Sequence, residues 1–183
     1  MSKKLFVLSG PSGAGIREIA AAVFAQREDV GAVTPVTARK MKDGETDGVG
    51  FFFYDLDGWT ALKESGDLLE ATEFAGNDYG TSKKLVRQQL DSGKNVLMTL
   101  EIERAAQLKK NMPEAVCVYI EPSNAVLEAR YRASARSLFE VTVRMAEAER
   151  QRTLSSFCDA HIDSDDTEAA ATALLALIDR ETA

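Results

Sequence analysis

The stretch Lys4-Leu5-Phe6-Val7-Leu8-Ser9-Gly10-Pro11-Ser12-Gly13-Ala14-Gly15-Ile16-Arg17 decides the fold. Residues 5–9 are an apolar run too short for a helix, and they read as a strand buried on both faces. Glycines then break the run, and the apolar periodicity of residues 16–24 opens a helix at once. Gly10, Pro11, Ser12, Gly13, Ala14 and Gly15 thus make the G-x-x-x-x-G frame of a phosphate-binding loop, in which backbone N–H groups and a helix N-terminus face an anion. Ile16 and Arg17 stand where such a loop carries Lys and Ser/Thr. The lysine would place an ammonium on the transferred phosphate, and the hydroxyl would be a ligand to magnesium. The frame therefore points to nucleotide-fold ancestry, while its last two residues point away from ordinary phosphoryl transfer.

Downstream, strands and helices alternate, which is the pattern of an α/β fold with a parallel sheet and helices on both faces. A helix is predicted at 16–26, an extended Val- and Thr-rich stretch at 31–37 and a glycine-bearing loop at 38–50. A short aromatic strand follows at 51–54, then a helix at 56–65 with Trp59 and Leu62 on one face, and a strand at 68–74. These short, hairpin-like pieces read as a small β-rich insertion between halves of the main sheet. A helix at 83–92 is closed by Gly93. Apolar strands at 95–100 and 115–120 flank an amphipathic helix at 101–111 that ends ahead of Pro113. Helices at 124–135 and 138–154, a short strand at 160–164 and an Ala/Leu-rich helix at 167–178 complete the chain.

The 183 residues suit one domain with a buried core. A formal net charge of −7 disfavours nonspecific attraction to nucleic acid or anionic membrane, so an anionic ligand needs a locally basic cleft. The N-terminal apolar run is too short for a signal sequence or a membrane span. Cys117 and Cys158 have neither CxxC nor zinc spacing and read as small core residues of a cytoplasmic protein. His161 is the sole histidine, so metal catalysis through histidine is not supported and no metal ligands are assigned.

Gly44-Glu45, Gly48, Phe52-Phe53, Leu69-Glu70 and Gly76-Asn77-Asp78-Tyr79-Gly80-Thr81 follow in an order and spacing that resembles the guanylate kinases. The resemblance spans Leu5 to Ile162-Asp163-Ser164-Asp165-Asp166, and its most specific part is Gly76-to-Thr81 placed after Leu69-Glu70. It implies a P-loop core (about 1–34, 83–128 and 150–183), a GMP-binding insertion (about 35–82) and a helical lid (about 129–149). The implied reaction is ATP + GMP to ADP + GDP, with Mg2+ and ATP as the family's cofactors and GMP or a related purine monophosphate as ligand. No protein partner or oligomeric state is implied.

Carried over by resemblance, Glu70 accepts hydrogen bonds from the guanine edge, Thr81 contacts the base and Tyr79 reaches the GMP phosphate. Arg39 is the first phosphate clamp; Lys42 is the second and keeps the charge without the bidentate fork. Glu101 matches an acid that helps hold GMP. Arg144 closes over the phosphates, and Arg130 and Arg132 fall in the lid turn. Departures accompany these matches: Pro35 replaces a serine, Phe51 a tyrosine, and Thr99-Leu100-Glu101 an Asp-x-Asp pair. Ala133, Ser134 and Ala135 replace Gly, Arg and Gly of the lid.

Plainer readings compete at each position. Arg17 is either a guanidinium standing in for the lysine or metal, or a solvated first-turn residue paired with a nearby acid. Glu70 is either the guanine acceptor or a surface acid at a strand end. Arg39, Lys40 and Lys42 form either a phosphate clamp or a solvated basic turn. Arg130, Arg132, Arg136 and Arg144 lie among glutamates and suit a salt-bridged exposed face. Trp59 and Phe51-Phe52-Phe53 read as core rather than as a base-stacking platform. Three functions follow: a family member with phosphotransfer reduced or lost and GMP-side binding kept, an active kinase with an altered site built on Arg17, Arg132, Arg144 and Glu101, and a non-catalytic protein-interaction module.

Overall fold

The computed structural model describes residues 3–135 and 137–183. In chain order its elements are β1 (Leu5–Ser9), α1 (Ile16–Gln26), β2 (Val30–Gly31), β3 (Val36–Thr37), β4 (Phe52–Phe53), α2 (Leu56–Glu64), β5 (Leu68–Phe74), β6 (Asn77–Ser82) and α3 (Lys83–Asp91). They continue as β7 (Asn95–Thr99), α4 (Ile102–Asn111), β8 (Val116–Glu121), α5 (Asn124–Ser134), α6 (Leu138–Leu154), β9 (Ala160–Asp163) and α7 (Thr167–Thr182). Arg136, read above with the lid arginines, lies outside the described residues, as do Met1 and Ser2.

Strands β2-β7-β1-β8-β9 form a parallel sheet in that order. Along β1 the side chains alternate between two cores: Phe6 and Leu8 pack with Ile19, Val23, Leu174 and Ile178 of α1 and α7, while Leu5 and Val7 pack with Val86, Ala105 and Leu108 of α3 and α4. Covering both faces is why the strand reads as an unbroken apolar run. Each such side chain contributes roughly 1.5–3 kcal/mol on burial. Cys117 is buried in the second core, and Cys158 is half-buried beside it.

A second sheet, in the order β4-β3-β6-β5, holds the antiparallel hairpin β5–β6. Its turn places Ala75 and Gly76 at φ 51 and 71, the conformation that matches hairpin twist. The stretch 31–37, expected as one extended segment, instead divides between the two sheets. Pro35 has no N–H to continue a ladder, and its carbonyl accepts the Phe52 N–H at 2.9 Å, fixing β3 beside β4. Residues 77–82, taken from sequence only as a motif, form the strand β6. Helix α7 runs to Thr182, past the expected end, and Glu181 in its added turn pairs with Lys4 at 3.0 Å.

Helices α5 and α6 enclose a small core of their own around Leu127, Tyr131, Val141 and Ala148. Trp59 is buried, as expected, and Leu62 on the same helix is half-buried. Among the described residues no helix is long and apolar enough to cross a membrane.

Candidate functional site

The loop from Gly10 to Gly15 joins the end of β1 to the start of α1. At Gly10, with φ 156, an added Cβ would lie 2.4 Å from the Ile120 carbonyl oxygen of β8, so only glycine lets the backbone pass. Gly15 is the helix N-cap in the left-handed region at φ 82, and no side chain caps the helix. The first-turn N–H groups therefore stay available to an acceptor. Ser12, Ala14, Arg17, Glu18, Arg130 and Thr167 border a cleft of about 480 Å³ at this loop. Ile16, in the lysine position, packs against the core beneath α1. Arg17 is exposed and makes no ion pair with a described residue, so the acid partner of its plainer reading is not formed. It also borders a second cleft of about 450 Å³ together with Pro35 and Thr99.

Helices α5 and α6 are fastened to the loop. Arg130 donates from Nη1 to the Gly13 carbonyl at 2.9 Å, and from Nη2 to the carbonyls of Ser164 and Asp165 at 2.9 and 3.0 Å. The Tyr131 hydroxyl donates to the Ser12 carbonyl at 2.6 Å. Arg144 donates to Ser12 Oγ at 3.2 Å and to Ser134 Oγ at 3.0 Å. Arg132 is not brought to the loop: it pairs with Glu128 one turn back, at 2.6 Å, with its side chain 55% exposed. Helix phase explains the difference, because residues three or four apart share a face and Leu127 and Tyr131 are both buried. Residue 130 lies on their side and residue 132 does not.

On the second sheet, Glu70 is 0% exposed, which removes the surface-acid reading. Thr81, its cross-strand partner, donates from Oγ1 to Glu70 Oε1 at 2.6 Å. Arg104 of α4 donates from Nε to Oε2 at 2.6 Å and from Nη2 to Oε1 at 3.0 Å. Arg104 is absent from the residues read out of the sequence. It stands 34 positions from Glu70 on another element, and no local pattern signals the pair.

Arg39 is already engaged: Nη1 and Nη2 each donate to the Glu45 carboxylate at 2.8 Å. Its guanidinium lies 5.5 and 5.1 Å from the ring centres of Phe51 and Phe53, so these half-buried rings hold the arginine as well as the sheet. The Arg39 hydrogen bonds hold the Glu45 carboxyl down to about 2. The Lys42 N–H also donates to Glu45, at 2.7 Å, while its side chain is exposed. Tyr79 packs 5.7 Å from the Phe51 ring centre. Glu101 is exposed at the N-cap of α4 without capping it. Phe51, Tyr79, Thr99, Glu101 and Arg104 border a third cleft, of about 430 Å³. His161 is exposed, with Nδ1 3.1 Å from Glu121. Among the described residues no group of three or more His, Cys, Asp or Glu is placed to hold a metal ion.

A family model described as guanylate kinase matches residues 2–181. The chain is 35% identical over 166 residues to a guanylate kinase of Enterococcus faecalis, covering 88% of this chain and 81% of that protein. It is 33% identical over 180 residues to a guanylate kinase of Lactococcus lactis, covering 97% and 87%. A crystal structure of guanylate kinase from Anaplasma phagocytophilum shares the fold with a TM-score of 0.66 at 22% identity, covering 98% of this chain and 86% of that one.

Proposed function

The chain belongs to the guanylate kinase family, and from that premise we propose that it is a cytoplasmic, purine monophosphate-binding member whose ATP:GMP phosphotransfer is strongly reduced or lost. One observation carries this reading: Arg17 and Thr99 border a single cleft. The residues that stand in place of the magnesium-binding hydroxyl and of the strand-end acid thus share one cleft, and Thr99 stands between it and the third cleft. Ile16, packed against the core beneath α1, brings no ammonium to the loop cleft that it borders. A divalent cation in that cleft would face the guanidinium of Arg17 and the neutral hydroxyl of Thr99, so the residues present do not fit Mg2+. Loss of a single preorganised donor costs a factor of about 10²–10³ in turnover by analogy with an oxyanion hole. Losses of residues acting as a unit do not add, but here two positions of the loop and one of the sheet change together.

The opposite side keeps more of its groups, although Pro35, Lys42 and Phe51 depart from the family there. Arg39, Lys42 and Tyr79 supply cationic and phenolic donors for a monophosphate, and Glu101 borders the third cleft, with Glu70 and Thr81 buried behind Arg104 at the family's base-site positions. In this reading residues 35–82 are the monophosphate-binding insertion, and 129–149 are a lid in which Arg144 and Arg130, rather than Arg132, meet the loop. The test is calorimetric titration with GMP and with ATP, beside a coupled assay for ADP release. Binding of a purine monophosphate without ATP binding is expected. Turnover within the ordinary enzyme range, roughly 1–10³ s⁻¹, overturns it.

A further inference from the structure

The buried carboxylate of Glu70 already has its hydrogen bonds. Thr81 Oγ1 donates to Oε1 at 2.6 Å, and Arg104 spans both oxygens with Nε and Nη2 at 2.6 and 3.0 Å. Two parallel N–H groups of a planar guanidinium on one carboxylate form the fork geometry that makes such pairs strong and directional. The edge of guanine that carries N1–H and the N2 amino group presents the same two parallel donors, because that part of the base is itself a guanidine fragment. Arg104 and a guanine edge therefore compete for one carboxylate. The third cleft is bordered by Arg104 but by neither Glu70 nor Thr81. The arginine thus forms the wall that a base in that cleft would meet, and the acid lies behind it.

We propose that Arg104 is a specificity-determining residue that occupies the base-recognition carboxylate from within and removes the preference for guanine. This rests on the monophosphate-side reading above. The charge balance favours the internal occupant: Glu70 is 0% exposed, and its guanidinium partner is 24% exposed at the cleft. Displacing Arg104 for a neutral base would leave a buried carboxylate without its counter-charge, and breaking one side of a buried pair is strongly unfavourable. A purine monophosphate entering the cleft is accordingly held through its phosphate, while its base edge meets the guanidinium of Arg104 rather than the carboxylate of Glu70. GMP and IMP differ only in the N2 amino group that a free Glu70 would read, so their ratio reports whether the carboxylate is available.

The experiment titrates GMP and IMP into the wild-type protein and into Arg104→Ala. Wild type is expected to bind the two within about twofold of each other, and R104A to prefer GMP by roughly tenfold or more, the N2 amino donor having become readable by a charged acceptor. A tenfold or larger GMP preference in wild type that R104A leaves unchanged overturns the proposal and leaves the monophosphate reading standing. Absence of binding by both nucleotides to both proteins overturns the monophosphate reading together with the proposal. Should R104A fail to fold because Glu70 is left unpaired, the wild-type GMP:IMP ratio decides by itself, near unity in favour and tenfold or more against.

Discussion

Arg144 lies with its guanidinium 4.0 Å from the ring centre of Tyr131. That ring in turn donates its hydroxyl to the Ser12 carbonyl at 2.6 Å, while Arg144 reaches the Ser12 side chain. One loop residue is thus held on both its backbone and its hydroxyl by two neighbours on α5 and α6. Tyr131→Phe is expected to cost about 0.5–1.5 kcal/mol through the lost hydrogen bond, and Arg144→Ala about 0.5–2 kcal/mol through the lost cation–π contact. Because the groups touch, the double variant should depart from additivity by roughly 0.5 kcal/mol or more. Urea unfolding of the four proteins measures the cycle, and strict additivity would show that the stack does not couple α5 and α6 to the loop.

Gly10 and Gly15 both lie at positive φ, but they meet different neighbours. A Cβ at Gly10 would fall 2.4 Å from the backbone oxygen of Ile120, which is locked in the parallel sheet, whereas one at Gly15 would meet the Thr167 hydroxyl at 3.3 Å. Gly10→Ala is expected to destabilise by about 2–4 kcal/mol, combining overpacking with backbone strain. Gly15→Ala should cost about 1–2 kcal/mol, the left-handed penalty alone. Reversal of this order in thermal or urea melts would mean that the loop, not the sheet, yields at Gly10.

The parts legible in the sequence are those whose cause is local. The parallel core could be read because burial on both faces of β1 leaves no polar residue to interrupt Leu5-Phe6-Val7-Leu8, and the loop because its glycines answer backbone needs. The split of residues 31–37 between two sheets was hidden, since a run of Val and Thr carries no mark of which sheet it joins, although Pro35 signals the break. Spacing along the lid favours Arg132; the phase of α5 favours Arg130. The pair between Arg104 and Glu70 joins two elements through tertiary packing and leaves no local trace.

Three carboxylates are held near 2 by arginine hydrogen bonds: Asp29 by Arg27, Glu45 by Arg39 and Glu147 by Arg150. Their ordinary values are 3.8 for Asp and 4.5 for Glu. A depressed native value means that the unfolded chain takes up protons first as pH falls. The stabilisation is complete above the ordinary values and is lost progressively as pH drops from there through about 2. All three pairs are solvent-accessible, so the effect is screened by salt. The urea midpoint should fall across this acid window, less steeply in about 1 M NaCl, where screening shrinks the pairing. An NMR titration of Glu45 with a midpoint at its ordinary value would show that Arg39 is free rather than paired.

Cys117 and Cys158 have their thiols pushed up to about 11 and about 12 by desolvation. Only the thiolate reacts, so near neutral pH both are expected to resist alkylation in the folded protein and to react at ordinary rates in urea. Because the native values are raised, their contribution to stability is complete below the ordinary value of 9.0 and fades as pH rises towards about 11 for Cys117 and about 12 for Cys158. Stoichiometric labelling by iodoacetamide without denaturant, followed by mass spectrometry, would show that the half-buried Cys158 opens to solvent.

The substitution pair Ile16→Lys with Arg17→Ser tests how much of the proposed loss of phosphotransfer resides in the loop. The backbone frame is intact, with the α1 N-terminus uncapped and Gly15 in its left-handed conformation, so a lysine would enter a site that already presents N–H groups to phosphate. A charge-assisted hydrogen bond contributes about 1.5–3 kcal/mol, and ATP affinity should therefore rise by roughly 10- to 100-fold in calorimetry. Turnover should remain low, because Thr99 still leaves the shared cleft without a carboxylate for the cation. Adding Thr99→Asp to the pair is expected to raise ADP release beyond either change alone, since the two groups would act on one ion and residues acting as a unit are not additive. Ordinary turnover from the loop pair alone would place the whole loss at residues 16 and 17. No gain in ATP affinity would place it instead at α5 and α6, where Arg130 and Arg144 are already bound to Gly13 and Ser12 and are not free to meet phosphate.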